Sequence, residues 1–198
     1  MIKFLNLNEN IPFQKFKELY DKAVSYDQKI PYAISISSLN KDKKEVDSRF
    51  VNLKIVDGED FIFFSNYNSP KSIQFKSHDQ IAALIFWDEL NIQVRIKAKI
   101  KKTEREFNKL YFEARSKYKN ALAISSNQSE DIRSYEDVSK NFNNALEKSD
   151  LYYCPDYWGG FKFTPYQFEF WYGHDNRVNK RELYIKKGTK WQKKILQP

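Results

Sequence analysis

The stretch VDSRFVNLKIVDGEDFIFFSNY, residues 46–67, contains two apolar runs joined by the pair Asp57-Gly58. Both runs are rich in Val, Ile and Phe, which favour strands, and an Asp-Gly pair between two such runs favours a tight hairpin. The stretch therefore predicts two antiparallel strands. Arg49 and Lys54 are five residues apart, an odd interval, so on one regular strand their side chains would leave by opposite faces.

Similar apolar or alternating runs lie on both sides of this hairpin. They are YAISIS (32–37), QIAALIFW (80–87), IQVRIKAKIKK (92–102), YWGGFKFTPYQFEFWYG (157–173), RELYIKK (181–187) and WQKKIL (191–196). Because most of these runs are joined by short turns, they predict an antiparallel sheet closed into a barrel. With the helices described next, the fold class is mainly β with flanking helices (α+β).

Three helices are predicted around the sheet. The first covers residues 10–24, with Asn10 as its N-cap and Pro12 in its first turn. Thr103 and Glu106 have the spacing of a capping box and predict a second helix, and a third begins at Ser134. The residues expected to face inward are Phe13, Phe16, Tyr20 and Val24 in the first helix, Phe107, Leu110 and Ala114 in the second, and Val138, Phe142 and Leu146 in the third.

The segment SKYKNALAISSNQSED, residues 116–131, is polar and poorly periodic. Such a pattern is typical of a surface loop, and long loops often carry function. We therefore expect a functional or interfacial loop here.

Length and composition bound the class of protein. A chain of 198 residues, 41% of them hydrophobic, can bury one substantial core, so we expect a single domain over residues 1–198. No run approaches the roughly 20 apolar residues of a membrane helix, and the N-terminus lacks a signal-peptide core. The single cysteine, Cys154, excludes an internal disulfide and fits a reducing compartment. These features predict a cytoplasmic protein.

Several kinds of site lack support. The net charge of +8 invites a nucleic-acid hypothesis, but the lysines are spread along the chain, which is more typical of a solvated surface. The five glycines form neither a G-x-G-x-x-G nor a Walker-type loop. His78, His174 and Cys154 have no metal-ligand spacing and offer no clear nucleophilic pair. We expect no metal and no nucleic-acid partner.

An anion site is possible where the second strand of the hairpin ends. Ser69 is a natural N-cap, Pro70 suits the first helical position, and Lys71 adds a positive charge beside the free N–H groups of the helix start. Taken alone, a plain capped helix is the simpler interpretation. Arg49 on the neighbouring strand could reach the same place, which favours the anion site.

Two further groups of cations have suggestive spacing. Tyr111, Arg115 and Lys119 recur at steps of four, so they would lie along one side of a helix that continued that far. Such a row suits a second phosphate, although a solvated face gives the same pattern. Trp171 ends an aromatic strand, and Arg177 and Arg181 follow. A tryptophan in this position could form one side of a site for a planar ligand, whereas buried aromatic residues usually belong to the core.

Seven blocks of the sequence, in the same order, resemble those of the pyridoxine/pyridoxamine 5′-phosphate oxidases, a family of FMN-dependent split-barrel enzymes. The blocks are RFVNLK (49–54), FFSNYNSPK (63–71), ELNIQVRI (89–96), YFEAR (111–115), NQS (127–129), YWGGFKFTP (157–165) and FEFWYGHDNRVNKR (168–181). The similarity extends from about the first helix to the C-terminus. It implies an antiparallel FMN-binding split β-barrel, with a C-terminal part, residues 157–198, that resembles the family's dimerisation region.

The resemblance implies a homodimer with FMN at the subunit interface. The positions matching FMN-binding residues are Arg49, Phe50, Val51, Asn52, Leu53, Lys54, Phe64, Ser65, Lys71, Gln93, Gln128, Ser129, Trp171 and Arg181. The positions matching the substrate site are Lys54, Tyr111, Arg115, Lys119, Arg177 and Asn179. Arg49 would then face the cofactor phosphate while Lys54, on the other face, serves the substrate phosphate.

The implied activity is oxidation of pyridoxamine or pyridoxine 5′-phosphate to pyridoxal 5′-phosphate, a step of vitamin B6 salvage. Hydride passes from the 4′ carbon to the flavin, and oxygen reoxidises the flavin to give hydrogen peroxide. Arg177 would be the catalytic residue, with an orienting and charge-stabilising role over the substrate ring.

Three positions depart from the family pattern. Pro70 stands where an arginine is usual, Lys119 replaces a serine of the substrate-phosphate group, and Asn179 replaces a histidine beside the substrate ring. The first helix also lies close to the N-terminus, without the extension that in relatives folds over the substrate. Two alternatives therefore stay open: an FMN-dependent oxidase of another substrate, such as a phenazine-type intermediate, and a non-enzymatic split barrel that binds flavin or nucleic acid.

Overall fold

Ten strands and five α-helices make up the computed structural model, which describes all 198 residues. The strands are β1 (Lys3–Leu5), β2 (Ala33–Asn40), β3 (Glu45–Asn52), β4 (Ile55–Asp57), β5 (Asp60–Asn66), β6 (Gln80–Trp87), β7 (Ile92–Lys102), β8 (Trp158–Tyr172), β9 (Lys180–Lys187) and β10 (Lys190–Leu196). The helices are α1 (Ile11–Ser25), α2 (Pro70–Ser77), α3 (Arg105–Glu113), α4 (Lys117–Ser125) and α5 (Tyr135–Lys148).

The hairpin predicted around Asp57-Gly58 is confirmed, because β4 and β5 pair antiparallel and Gly58 has a φ of +57° in the turn. The run before it, however, is not one regular strand. β3 pairs with β2, but Leu53 N–H donates to Tyr32 O and Lys54 N–H donates to Ile62 O of β5. The chain therefore changes its strand partner between Asn52 and Ile55, so the alternation of faces does not extend from Arg49 to Lys54.

This change of partner closes the barrel. The strands follow the order β1-β4-β5-β8-β7-β6-β2-β3, so β3 and β4 lie near opposite ends of the path and are joined by the continuous chain. β1 pairs parallel with β4, and this is the single parallel pair in an otherwise antiparallel sheet. The sequence did not predict β1, because three residues are too few to show a period.

The sheet splits along β8. The first half of this 15-residue strand pairs with β5, its second half pairs with β9, and its other edge pairs with β7 from Phe161 to Tyr172. The register between β7 and β8 shifts between Lys97 and Ala98, where β8 has the extra residue Tyr166 next to Pro165, which lacks the N–H that a regular ladder needs. The predicted split β-barrel is therefore confirmed. β10 extends the second half through its pairing with β9.

Helix α1 fills one end of the barrel. Asn10 is its N-cap and Pro12 lies in its first turn, as predicted. Phe13 and Phe16 are fully buried, and their rings lie 5.3 Å from Phe168 and 5.0 Å from Phe61. Tyr20 is also buried, whereas Val24 is only partly buried. Aromatic pairs at these separations contribute beyond the area that they bury.

Two expectations about α3 are wrong. Its N-cap is Glu104, and Thr103 Oγ1 instead donates to Asn108 Oδ1 at 2.6 Å. The buried residues of the helix are Asn108 and Phe112. Leu110, expected inside, is 68% exposed, and Ala114 is also exposed. An asparagine in the buried stripe hides the helical period from a hydrophobicity pattern.

The segment 116–131 is also not a loop throughout, because it contains α4. Asn120 is buried, and its Nδ2 donates to Phe112 O and Leu151 O, which fixes α4 against its neighbours. The third predicted helix, α5, begins as expected after Ser134, whose Oγ accepts a hydrogen bond from Asp137 N–H. Its expected inward residues are only partly buried. No helix of the protein combines the length and apolar character needed to cross a membrane.

Candidate functional site

A cavity of about 930 Å³ lies where β3 and β4, the end of β5, the start of α2 and the α3–α4 junction meet. Thirteen of the predicted site residues line it: Arg49, Phe50, Val51, Asn52, Lys54, Phe64, Ser65, Lys71, Tyr111, Arg115, Lys119, Gln128 and Ser129. Arg49 and Lys54 thus share one cavity, which corrects the expectation that they serve two faces of a strand. Leu53 does not line it, because its side chain is fully buried in the core.

Arg49 is held in place by hydrogen bonds from its guanidinium. Nη1 donates to Ser38 Oγ at 2.6 Å and to Ile36 O at 3.2 Å, and Nη2 donates to Gln74 Oε1 at 3.3 Å. The carboxylate of Asp47 lies 3.9 Å away, at the outer limit of an ion pair. Burial lowers the pKa of Arg49, but an arginine stays protonated in any case.

Lys71 lies next to Arg49 and is 6% exposed. Ser69 is the N-cap of α2 and Pro70 its first residue, as predicted, and Lys71 Nζ donates to Ser69 Oγ at 3.0 Å. No carboxylate pairs with this ammonium. Burial, with a smaller contribution from Arg49, lowers the pKa of Lys71 to about 8. Arg49 and Lys71, the first cation set, therefore form a positively charged end of the cavity, where the nearest ion-pair contact is that of Asp47 with Arg49 at 3.9 Å.

Lys54, Arg115 and Lys119 form the second cation set. Burial lowers the pKa of Lys54, and the nearby charges of Lys119 and Arg115 lower it further. The guanidinium of Arg115 lies over the Trp158 ring at 4.3 Å, and its Nη2 donates to Lys119 O at 3.2 Å. Its Nη1 is buried and has no hydrogen-bond partner. A buried unpaired donor costs about 1–3 kcal/mol, so this atom is available to an acceptor atom of a ligand or a water.

The predicted row of Tyr111, Arg115 and Lys119 does not lie along one helix. α3 ends at Glu113 and α4 begins at Lys117, so the chain turns between Tyr111 and Lys119. The expectation that these three residues share one side of a continuous helix is therefore wrong, although all three line the cavity. Tyr111 stacks on Phe64 with ring centroids 3.6 Å apart, which fixes α3 against the end of β5.

The loop after α4 reaches the cavity through Gln128 and Ser129. Gln128 Oε1 accepts hydrogen bonds from Ser65 Oγ at 3.1 Å and from Asn66 N–H at 3.4 Å. Ser129 has a φ of +71°, a left-handed conformation that is uncommon for serine. These two residues therefore cover the wall formed by β5.

Gln93, Trp171 and Arg181 form a separate cluster that does not line the cavity. They are adjacent in register on β7, β8 and β9, and Phe86 of β6 continues their row. Arg181 donates to the buried carboxylate of Glu169 at 2.8 Å. The three residues therefore lie together on the outer face of the sheet and outside the cavity of their own chain; we call this cluster, which the sequence predicts as part of the binding site, the half-site.

Arg177 and Asn179 lie in the loop between β8 and β9, also away from the cavity. Arg177 is exposed and has a φ of +59°. Asn179 Oδ1 accepts a hydrogen bond from His174 N–H at 3.0 Å, which closes the loop. The loop holds Arg177 next to the Trp171–Arg181 end of β8 and β9, so it extends the half-site.

The outer face of the sheet connects this half-site with the cavity. Phe50, which lines the cavity, is 76% exposed, and it is joined in register through Ser35 to Leu84. Phe86 lies two residues beyond Leu84 on the same face and is 52% exposed. We call this surface, defined by Phe50, Leu84, Phe86 and Trp171, the apolar outer face. Exposed apolar surface of this kind is typical of an interface between proteins.

Other residues of the cavity wall were not predicted from the sequence as site residues. Lys3 lines the cavity because β1 places it beside Ile55, and β1 was not predicted. Trp158 also lines it, and its ring stacks on Phe64 at 5.2 Å. An aromatic residue before a glycine pair gives no signal that separates a cavity wall from a core position.

Two family models match this chain. One, described as "Pyridoxamine 5'-phosphate oxidase", matches residues 28–142. The other, described as "Pyridoxine 5'-phosphate oxidase C-terminal dimerisation region", matches residues 158–198. The two matches together cover every predicted site residue, because the gap between them, residues 143–157, contains none.

Curated relatives match over nearly the full chain. The pyridoxine/pyridoxamine 5′-phosphate oxidase 1 of Hydrogenovibrio crunogenus is 34% identical over 191 residues, covering 94% of this chain and 88% of the relative. The pyridoxine/pyridoxamine 5′-phosphate oxidase of Legionella pneumophila (strain Paris) is 32% identical, covering 96% of this chain and 89% of the relative.

Solved structures share the fold. PhzG from Burkholderia lata 383, in complex with tetrahydrophenazine-1-carboxylic acid, superposes with a TM-score of 0.89 at 22% identity, covering 94% of this chain and 92% of the other. A pyridoxamine 5′-phosphate oxidase-related, FMN-binding protein from Nostoc punctiforme superposes with a TM-score of 0.76 at 12% identity, covering 92% and 97%. At these identities the likeness is one of fold.

The buried ammonium of Lys71 generates a prediction about the ligand-free protein. Lys71→Met should raise the free energy of unfolding at pH 7 by about 1–3 kcal/mol, because an uncompensated buried charge is removed. Between pH 8 and 10.5 the folded wild type has released this proton while the unfolded chain still holds it, so wild-type stability rises relative to the variant. Urea denaturation at pH 7 and pH 10 measures the difference.

Lys76→Met is the matched control, because Lys76 lies on the same helix and is exposed. It should change the free energy of unfolding by less than about 0.5 kcal/mol at both pH values. A Lys71→Met variant less stable than wild type at pH 7 would contradict the unpaired state of this lysine.

Proposed function

This chain belongs to the pyridoxamine 5′-phosphate oxidase family, and we propose that it oxidises pyridoxamine or pyridoxine 5′-phosphate to pyridoxal 5′-phosphate with FMN as cofactor. Oxygen is the acceptor and is reduced to hydrogen peroxide; the amine substrate also consumes water and releases ammonia. The observation that carries this proposal is the presence of two cation sets in one cavity, in which Arg49 alone has an ion pair, with Asp47 at 3.9 Å.

The first cation set fits the phosphate of FMN. Lys71 is a buried ammonium without a carboxylate, and the hydrogen bonds of Arg49 to Ser38 and Gln74 fix its guanidinium at the same end of the cavity. A phosphate there would supply the missing negative charge and raise the pKa of Lys71 again. Bound FMN supplies an acceptor for the substrate's hydride, and the protein supplies position and electrostatics.

The second cation set fits the phosphate of the substrate. A phosphate monoester carries about −1.5 to −2 charges at pH 7 and three acceptor oxygens. Arg115 Nη1 lacks an acceptor, and Lys54 and Lys119 carry positive charges close to it. Three cations without a carboxylate suit a dianion better than a monoanionic carboxylate. Lys119, which replaces the serine usual in the family, strengthens this preference.

A second candidate is an FMN-dependent oxidase of another substrate. Asn179 motivates it, because the side chain here closes its own loop and offers no titratable group beside the substrate ring. The solved PhzG structure contains a ligand with a carboxylic acid in place of a phosphate. A carboxylate substrate would leave part of the positive charge of the second cation set uncompensated. The second cation set therefore favours a phosphorylated B6 vitamer as the substrate.

A homodimer would complete the site. Gln93, Trp171, Arg181 and Arg177 lie outside the cavity of their own chain, at one end of the apolar outer face. The match to a C-terminal dimerisation region covers Trp171, Arg177 and Arg181. We infer that this face pairs with a second copy, so that each cavity receives the half-site of the partner. Arg177 would then lie over the substrate ring and stabilise charge there.

Turnover tests the proposed function directly. The FMN-loaded protein should release hydrogen peroxide with pyridoxamine or pyridoxine 5′-phosphate, and the unphosphorylated vitamers should react far more slowly. No peroxide above background from any phosphorylated vitamer, with FMN bound, would reject the B6 assignment. Turnover of a dihydrophenazine carboxylic acid under the same conditions would then support the second candidate.

Two single substitutions should separate the cation sets. Lys71→Ala should weaken FMN binding, and Arg115→Ala should raise KM for pyridoxamine 5′-phosphate while FMN stays bound. Each lost charge-assisted contact should cost about 1.5–3 kcal/mol, or roughly 10- to 150-fold. Fluorescence titration of FMN and steady-state kinetics measure the two effects. Equal effects of both substitutions on both ligands would show that the cations are assigned to the wrong phosphates.

The apolar outer face generates a prediction about assembly. Phe86→Asp should convert the dimer to a monomer and release FMN, although Phe86 does not line the cavity of its own chain. Ile11→Asp is the control, because Ile11 is 65% exposed and lies on α1, away from this face. Sedimentation velocity and the bound flavin spectrum measure both properties. A dimeric Phe86→Asp variant that retains FMN would place the interface elsewhere.

A further inference from the structure

We propose that two buried amides outside the cavity, Gln74 and Asn108, position the two cation sets independently. Gln74 positions Arg49 for the cofactor phosphate, and Asn108 positions the helix that carries Tyr111 and leads to Arg115. Neither amide lines the cavity, so both are positioning residues that act through others. The assignment of each phosphate rests on the function proposed above.

Gln74 lies on α2 and is 4% exposed. Its Oε1 accepts hydrogen bonds from Ser38 Oγ and from Arg49 Nη2, and its Nε2 donates to Asp47 Oδ2. Ser38, which is 2% exposed, in turn accepts a hydrogen bond from Arg49 Nη1 at 2.6 Å. Two nitrogens of the Arg49 guanidinium are thus hydrogen-bonded to buried side chains of α2 and β2.

These hydrogen bonds fix the position of the Arg49 guanidinium before a ligand binds. An arginine side chain loses rotamer freedom when it binds a ligand, and a side chain that is already fixed loses less. Removing the Ser38 hydroxyl takes away the shorter of the two hydrogen bonds of Arg49 Nη1 and leaves only the one to Ile36 O, without changing a residue of the cavity wall. The affinity for the anion at this end should fall, while the second cation set is unaffected.

Asn108 lies on α3 and is 1% exposed. Its Oδ1 accepts hydrogen bonds from Gly160 N–H at 2.9 Å and from Thr103 Oγ1 at 2.6 Å. Its Nδ2 donates to Tyr67 Oη at 3.0 Å, and the Tyr67 hydroxyl donates to Gly160 O at 3.0 Å. One amide therefore joins α3 to the end of β5 and to the start of β8.

The glycines of β8 make this close approach possible. A Cβ at position 159 would lie 2.2 Å from Tyr67 Oη and 2.5 Å from Asn108 Nδ2, and a Cβ at position 160 would lie 2.5 Å from Thr103 Oγ1. Contacts this short do not occur between real side chains, so the pair Gly159-Gly160 is needed for the amide to reach the strand. The polar network and the glycine pair therefore act together to fix the distance between α3 and β8.

Tyr111 lies one helical turn after Asn108, and Arg115 follows where α3 ends. Trp158, which lies under the Arg115 guanidinium, directly precedes the glycine pair. A shift of α3 relative to β8 would therefore move both the arginine and the ring on which it rests. In an active site a misplacement of about 1 Å can cost roughly 100-fold in rate.

The two networks share no residue. The first joins β2, β3 and α2, and the second joins β5, β8 and the connection from β7 to α3. Changes at sites without shared partners usually have additive effects. Each network can therefore be weakened while the other serves as its control.

Ser38→Ala and Tyr67→Phe test the proposal as a matched pair, because each removes one hydrogen-bonded hydroxyl from its network and adds nothing. Ser38→Ala should weaken FMN binding roughly 5- to 20-fold and change KM for pyridoxamine 5′-phosphate by less than about twofold at saturating FMN. Tyr67→Phe should raise that KM roughly 5- to 20-fold and change the FMN dissociation constant by less than about twofold. Fluorescence titration and peroxide release provide both readouts.

Gln74→Ala and Asn108→Ala repeat the test on the amides themselves and should show the same separation with larger effects. A purely structural role would move both constants together or neither, and either result, in both pairs of variants, overturns the proposal. If the wild type binds FMN but oxidises no phosphorylated vitamer, the proposed function fails by itself. The FMN measurements then decide, because an unchanged dissociation constant in Ser38→Ala and Gln74→Ala overturns the proposal.

Discussion

The site depends on the change of strand partner between Asn52 and Ile55. Leu53 N–H still bonds to Tyr32 O, whereas Lys54 N–H already bonds to Ile62 O, so the chain leaves one wall of the barrel and enters the other within two residues. The buried Leu53 side chain anchors the crossing in the core. Because of this crossing, Arg49 and Lys54 reach one cavity from two directions, and each joins a different set of cations.

Burying positive charges in a confined cavity is unfavourable for the ligand-free protein. Three signs of this strain are the unpaired Arg115 Nη1 and the pKa values of Lys71 and Lys54, which are lowered mainly by burial and further by neighbouring positive charges. A protein tolerates such strain where a ligand relieves it, at some cost in stability. Gln74 accepts a hydrogen bond from Arg49, and the proposed role of Asn108 is to fix the helix that leads to Arg115. Under the proposed function, a phosphate bound at each cation set would relieve this strain.

Much of the fold could be predicted from the sequence, because alternation and turn residues are local signals. β6 and β7 have the predicted bounds, and the Asp57-Gly58 hairpin forms as expected. The break at Leu53 could not be predicted, because it depends on which distant strands accept each N–H. Tyr111, Arg115 and Lys119 do not form one helical row, because α3 ends at Glu113 and α4 begins at Lys117.

The candidate site was predicted as a set of residues but not as a geometry. Thirteen predicted positions meet in the cavity, while Gln93, Trp171, Arg177, Arg181 and Asn179 lie elsewhere on the same chain. A crystal structure of the protein with FMN and pyridoxal 5′-phosphate tests the central claim most directly. We expect the cofactor phosphate within hydrogen-bond distance of Arg49 and Lys71, and the other phosphate within that distance of Arg115 and Lys54. Both phosphates on one cation set, or either ligand outside the cavity, would contradict the account.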